Sequence, residues 1–149
     1  MDLFRLGACR YSGNLNGEGA RIFGGRWNAE GVPAVYFASS RSLAVLEVLV
    51  HLPTGLLPDN FCMSKFAVDV PFTEFKANDL PAKWQSYPFI KKTQLLGSQF
   101  FKENKSLLLK VPSAIVDGDF NYIANPLHPD IKRIEFLEKV SFSFDDRLL

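Results

Sequence analysis

Val35-Tyr36-Phe37-Ala38-Ser39-Ser40-Arg41-Ser42-Leu43-Ala44-Val45-Leu46-Glu47-Val48-Leu49-Val50-His51 places a strand, a cap and a helix in one short run. Val35 to Ala38 reads as a short buried strand. Ser39 or Ser40 offers a side-chain oxygen to the first free amides of a helix. That helix spans about Arg41 to His51, and Pro53 stops it. Glu47 is the only charge between Leu43 and Val50. A helix apolar nearly all round is normally buried, and a carboxylate in it is costly unless paired, hydrogen-bonded or lining a cavity. Two readings stand side by side. Glu47 lines a polar cleft, or Ala44, Glu47 and His51 form a solvated stripe at helical spacing. Spacing alone does not separate them.

On the N-terminal side, residues 3 to 5 read as a short strand. Ser12 to Gly25 reads as a loop, with Gly13, Gly17, Gly19, Gly24, Gly25, Asn14 and Asn16. Such residues permit positive φ and close backbone approach. On the C-terminal side, Phe61 to Val70 predicts a strand with Phe66, Val68 and Val70 on one face. Pro71 to Pro88 gives little signal. Thr93 to Asn104 predicts a helix whose apolar residues are Leu95, Leu96, Phe100 and Phe101. Ser106 to Val111 reads as a strand stopped by Pro112. Gly118 and Asn125-Pro126 mark turns. Ile131 to Val140 reads as a strand with Ile134 and Phe136 on one face. Strands and helices mix without strict βαβ alternation, which favours α+β over a doubly wound fold.

The 149 residues make one domain's worth of chain, and the expectation is a single domain over residues 1–149. Hydrophobic residues at 47% support a core. With 17 basic and 16 acidic residues there is no basic excess for tracking nucleic acid, while one or two placed arginines still suffice for a small anion. Two cysteines, Cys9 and Cys62, and two histidines write no standard zinc pattern. Reduced thiols are expected. Met1-Asp2-Leu3-Phe4-Arg5 does not read as a signal peptide, and no apolar run approaches membrane-spanning length. A soluble, cytoplasmic protein is expected.

Arg26 follows Gly24-Gly25 and precedes Trp27-Asn28. It reads either as a fork onto a phosphate or as a surface arginine stacked on Trp27. The glycine stretch is no dinucleotide fingerprint, because the third glycine and the strand–helix setting are missing. Tyr36 either presents its ring and hydroxyl to a flat ligand or fills the core. Ser113 follows Pro112 without a G-x-S-x-G setting, so it reads as a hydroxyl partner to a ligand or as a turn residue. His128, in Asn125-Pro126-Leu127-His128-Pro129, reads as a structural hydrogen-bonding group.

Several ordered blocks resemble the RES domain family, named for an Arg, a Glu and a Ser. They are Gly24-Gly25-Arg26-Trp27-Asn28 with Gly31, Val35-Tyr36-Phe37-Ala38, and Ala44-x-x-Glu47 with His51. Val111-Pro112-Ser113, Asn125-Pro126-x-His128-Pro129 and Phe144-Asp145-x-Arg147-Leu148 follow in order. Pro71 to Lys92 matches least, and nothing is carried over there. The resemblance implies an ADP-ribosyltransferase-like split β-sheet core with flanking helices. It implies Arg26, Tyr36, Glu47 and Ser113 as catalytic residues, with Arg5, Arg26, Tyr36 and Ser113 against NAD.

The same resemblance implies the toxin of a type II toxin–antitoxin system. NAD would be its substrate rather than a redox cofactor, with no metal required. Its partner would be an Xre-type helix-turn-helix antitoxin, with room for a homodimer within the complex and no direct contact to nucleic acid or membrane. The implied reaction is cleavage of the nicotinamide–ribose bond by hydrolysis or phosphorolysis. An ADP-ribosyltransferase acting on a protein is the nearest alternative. A non-enzymatic antitoxin-binding protein and an RNA-cleaving toxin are the alternatives of other kinds. The near-neutral charge and the lack of a placed His pair count against the last.

Overall fold

The computed structural model describes residues 1–53 and 55–148. Strand β2 is Val35–Ala38, all four residues of the sequence expectation. Ser40 then caps helix α2 (Arg41–Leu49), its hydroxyl accepting from Leu43 N at 3.1 Å. α2 stops at Leu49, and Val50 and His51 continue as a turn.

The other strands are β1 (Asp2–Ala8), β3 (Phe61–Ala67), β4 (Phe72–Glu74), β5 (Leu108–Pro112), β6 (Phe120–Ala124) and β7 (Glu135–Phe142). Together they form a seven-stranded sheet in the order β4-β5-β6-β2-β1-β3-β7. Neighbours are antiparallel except the parallel pair β4–β5. β1 and β2 share a single residue pair, Phe4 with Ala38, whereas β1 runs beside β3 from Asp2 to Ala8. The sheet is therefore two halves joined at one point. This is the expected α+β, split-sheet class.

Side chains alternate across a strand, so the sheet has two distinct faces. One carries a continuous cluster of Leu3, Val35, Phe37, Phe66, Val68 and Leu108. The other is divided. Phe4, Leu6, Ala38 and Met63 pack with Leu43 and Ala44 of α2. Leu109, Val111 and Ile123 pack with Trp27 and with Phe100 and Phe101 of α3 (Lys91–Glu103). Asn121 of β6 sits between the two clusters, paired laterally with Ala38 on one side and Val111 on the other.

Several expectations need correction. The glycine-rich loop contains a short helix, α1 (Glu18–Phe23), with Asn16 Oδ1 accepting from Glu18 N at 3.0 Å. Gly17 (φ 69°) and Gly24 (φ 71°) bound it with backbone angles that favour glycine. α3 buries Thr93, Gly97, Phe100 and Phe101 and leaves Leu95 and Leu96 exposed. Gly97 is required because a Cβ there would overlap the Trp27 carbonyl. β7 begins only at Glu135, because Pro129–Arg133 forms a 3-10 turn. Ile134 is thus buried while Phe136, on the sheet edge, is exposed. β4 and β6 carry no strand prediction. The reading of free thiols also fails, because Cys9 and Cys62 form a disulfide. The β1–β3 register pairs Gly7 with Cys62 and so brings Cys9 alongside the start of β3. No helix among the described residues is long and apolar enough to cross a membrane.

Candidate active site

The turn carrying Arg26 is fixed from three directions. Gly25 N donates to Asn28 O at 2.9 Å, closing the turn on itself. Asn28 is fully buried and donates to the carbonyls of Ala20 (2.8 Å) and Val32 (2.9 Å). From α3, Gln94 donates to Gly25 O at 3.1 Å and to Asn28 O at 3.3 Å. From β2, the Tyr36 hydroxyl donates to Asn28 Oδ1 at 2.6 Å and accepts from Trp27 N at 3.1 Å. Gly25 leaves room for that hydroxyl, since a Cβ would lie 2.7 Å from it. Trp27 is buried in the α3 cluster against Phe75.

Arg26 therefore does not stack on Trp27. Its Nη1 donates to Trp84 O at 2.6 Å and Ser86 O at 2.8 Å, with Cζ 6.0 Å from the Phe89 ring centre. The segment from Pro81 to Phe89 is held over the turn in this way. Two open grooves lie elsewhere. One of about 360 Å³ runs between α2 and β7, past Arg41, Val45 and Glu138, and one of about 510 Å³ lies beside Met1 and Arg133.

Glu47 projects from α2, half-buried, near the Asn121 side chain, whose amide donates to Phe37 O at 3.3 Å. Burial pushes its carboxyl above the usual carboxylate range, while Asn121 and the Arg26 charge pull the other way. Burial lowers the Arg26 guanidinium, opposed by Glu47 and then Tyr36. Burial drives the Tyr36 phenol far up, so it serves as a hydrogen-bonding group and not as an acid or base near neutrality. His51 is lowered by burial and then by Arg26, which favours its neutral form. Arg26, Tyr36, Glu47 and His51 thus share one electrostatic neighbourhood at the seam between the two apolar clusters. The solvated-stripe reading of Ala44, Glu47 and His51 fails at Ala44, which is buried.

Ser113 is buried just beyond the end of β5. Its Oγ accepts from Ile115 N and Val116 N, both at 3.1 Å. With both lone pairs occupied, the O–H is the hydroxyl's remaining function. Arg5 is not brought to the others. It lies on the Leu3 face of β1, over the Phe66 ring at 5.7 Å, and donates to the carbonyls of Tyr11 (2.8 Å) and Ser12 (3.1 Å). The alternation of β1 puts Arg5 on the face opposite Phe4 and Leu6. His128 Nδ1 accepts from Asp130 N at 3.0 Å, the structural role expected of it. Among the described residues, no three His, Cys, Asp or Glu side chains are grouped to hold a metal ion. Sequence reasoning missed Asn121, Gln94 and the Trp84–Phe89 segment. Asn28 stood in a quoted block without a role.

A family model described as the RES domain matches residues 2–145. The chain belongs to the RES domain family. It is 39% identical to the Prs ADP-ribosylating toxin of Sphingobium sp. (strain YBL2), over 91% of this chain and 87% of that protein. It is also 39% identical to Toxin Res of Photorhabdus laumondii, over 100% of this chain and 97% of the relative. Toxin Res of Pseudomonas putida is 38% identical over 99% of each. Among solved structures, a chain of the M. tuberculosis MbcT–MbcA toxin–antitoxin complex superposes with a TM-score of 0.78. It shares 20% identity over 95% of this chain and 84% of that one. At that identity the match speaks for a common fold alone.

Proposed function

We propose that this RES domain is a bacterial toxin that depletes NAD by cleaving the nicotinamide–ribose bond, through hydrolysis or phosphorolysis. The observation that carries the reading is that the Arg26 and Glu47 charges act on each other, one from the turn before β2 and the other from α2. Nicotinamide in NAD is a cationic leaving group. It departs with the electron pair of the C–N bond, and the ribose develops oxocarbenium character. The Glu47 carboxylate would stabilise that positive charge and orient a ribose hydroxyl. Water or phosphate then attacks the anomeric carbon, giving ADP-ribose or its 1-phosphate; attacking water loses a proton.

Arg26 supplies the anion site. Its Nη1 is engaged by the two carbonyls, which leaves the three N–H groups on Nε and Nη2 to fork a pyrophosphate oxygen pair. Tyr36 holds the Arg26 turn through Asn28 and Trp27. The Ser113 O–H would donate one orienting bond to the substrate. Arg5 contributes indirectly, by tying down the chain that leads into the glycine-rich stretch. The toxin acts in the cytoplasm, with an Xre-type helix-turn-helix antitoxin as its inhibitor. The complex containing the M. tuberculosis structural neighbour supports an antitoxin partner.

A second reading is favoured by the name of the Sphingobium relative: transfer of ADP-ribose to a protein. The same site serves, with a protein nucleophile replacing water. The test is purified antitoxin-free protein with NAD, with and without phosphate, followed by mass spectrometry. Release of nicotinamide, reduced on the order of 10²–10³-fold in Glu47→Gln, is the expected result. Turnover only with an added protein acceptor would favour transfer. No turnover in either case, with the fold intact, would leave an antitoxin-binding role.

A further inference from the structure

The Pro81–Phe89 strap lies outside every block that resembles the family, yet Arg26 of the candidate site holds it. Arg26 grips it through backbone carbonyls, those of Trp84 and Ser86, so the grip does not depend on the strap's side chains. Those side chains are aromatic. Tyr87 packs on His51 with ring centres 5.6 Å apart, and Phe89 meets Tyr87 edge-on at 6.2 Å. His51 lies four residues beyond Glu47, and the Arg26 charge acts on both. Tyr87 remains 69% exposed. The ring leans on the His51 imidazole with 54° between the planes, and most of its surface is open. An aromatic face attracts a cation through its quadrupole, and a flat cation most of all.

We propose that Tyr87, backed by His51 and Phe89, is the specificity wall of the cleft and stacks on the cationic pyridinium of the substrate. This rests on the NAD-cleaving reading above. The strap thereby divides recognition in two. Arg26 takes the phosphates, and Tyr87 discriminates the charged base from an uncharged one. Tyr87 acts in binding and makes no bond to the reacting carbon. Since the ring is largely exposed, its truncation should leave the fold unchanged.

The experiment is calorimetric titration of the full chain carrying Glu47→Gln, which keeps the ligand intact. NAD+, NADH and ADP-ribose are titrated into that parent and into the same chain with Tyr87→Ala or Tyr87→Phe. Tyr87→Ala should weaken NAD+ about tenfold. ADP-ribose, which has no base at that position, should bind unchanged, and NADH, with a neutral ring, should lose less than NAD+. Tyr87→Phe should bind NAD+ within about twofold of the parent, because the π-face survives. Melting temperatures should agree across the set. NAD+ affinity indifferent to Tyr87→Ala, or an equal loss for ADP-ribose, would overturn the assignment while leaving the NAD reading standing. No binding of NAD+ or ADP-ribose to the parent would overturn both.

Discussion

Glu47 shows how one side chain couples stability, activity and legibility. Burial holds its carboxyl above the usual range despite Asn121 and Arg26. Below the unfolded-state pKa both states carry the proton and the residue costs nothing. As pH rises, the unfolded chain ionises first, so stability falls until the folded carboxyl has ionised as well. Glu47→Gln removes that loss. Thermal melts should show the variant above the parent at pH 8 and level with it near pH 3; a parent that melts higher at pH 8 would contradict the sign. Catalysis runs in the opposite sense. It needs the carboxylate, so turnover should rise with pH through a range above that of an ordinary glutamate. Tyr36 makes a second case, because its hydroxyl holds Asn28 and Trp27. Tyr36→Phe leaves a buried amide oxygen short of a donor, and should cost about 1–3 kcal/mol in urea denaturation. A loss under about 0.5 kcal/mol would mean the hydroxyl is dispensable to the turn. Glu47 was legible as a lone charge in an apolar run and Arg26 by the two glycines before it, though the residues alone left two readings of each and only the family resemblance chose between them. Asn121 was not, since a neutral amide on a short strand between turn signals leaves no such mark. The contacts of Arg5 with Tyr11 and Ser12 were not legible either, because only the folded strand decides its face.

Elements were legible where capping and periodicity agreed. Ser40 and the apolar run behind it announced α2 to within two residues at its end. The glycine-rich stretch hid α1, because six residues are too few to show a period. β4, with three residues, was lost for the same reason, and in β6 Asn121 interrupts the apolar run that marked the equally short β5. α3 was placed correctly along the chain but turned wrongly. Its Leu95 and Leu96 looked like core, while the contact is made by Gly97 closing on the Trp27 backbone. Gly97→Ala gives a direct check. In an exposed helix that change stabilises, but here the added methyl must push α3 away from the Arg26 turn that Gln94 also holds. A destabilisation of about 1–3 kcal/mol is expected by chemical denaturation, together with weaker NAD affinity. A stabilised variant would show that α3 does not seat on Trp27.

At the scale of the molecule, the α+β class followed from the order of strand and helix signals, and strand order did not. Which strands meet depends on partners distant in sequence, and two of the seven strands gave no signal at all. The same blindness produced the error over Cys9 and Cys62, whose meeting is a consequence of the β1–β3 register. The single Phe4–Ala38 pair between the sheet halves has a mechanical consequence. With so little backbone joining them, the halves are held together by side chains, those of the continuous cluster on one face and those of α2 on the other. Leu43, nearly inaccessible, packs with Phe4 and Met63 of one half and Ala38 of the other. Trp27 reports on the α3 side of the seam and is far from that contact in the packing order. Leu43→Ala should cost about 2–5 kcal/mol. It should also separate two transitions that coincide in the parent, with far-ultraviolet circular dichroism falling before tryptophan fluorescence as urea rises. Glu47 rides on α2 and Arg26 on the α3 side, so loosening the clamp should widen the seam and lower turnover before global unfolding begins. Coincident transitions with undiminished turnover would mean that the halves are coupled by something other than α2.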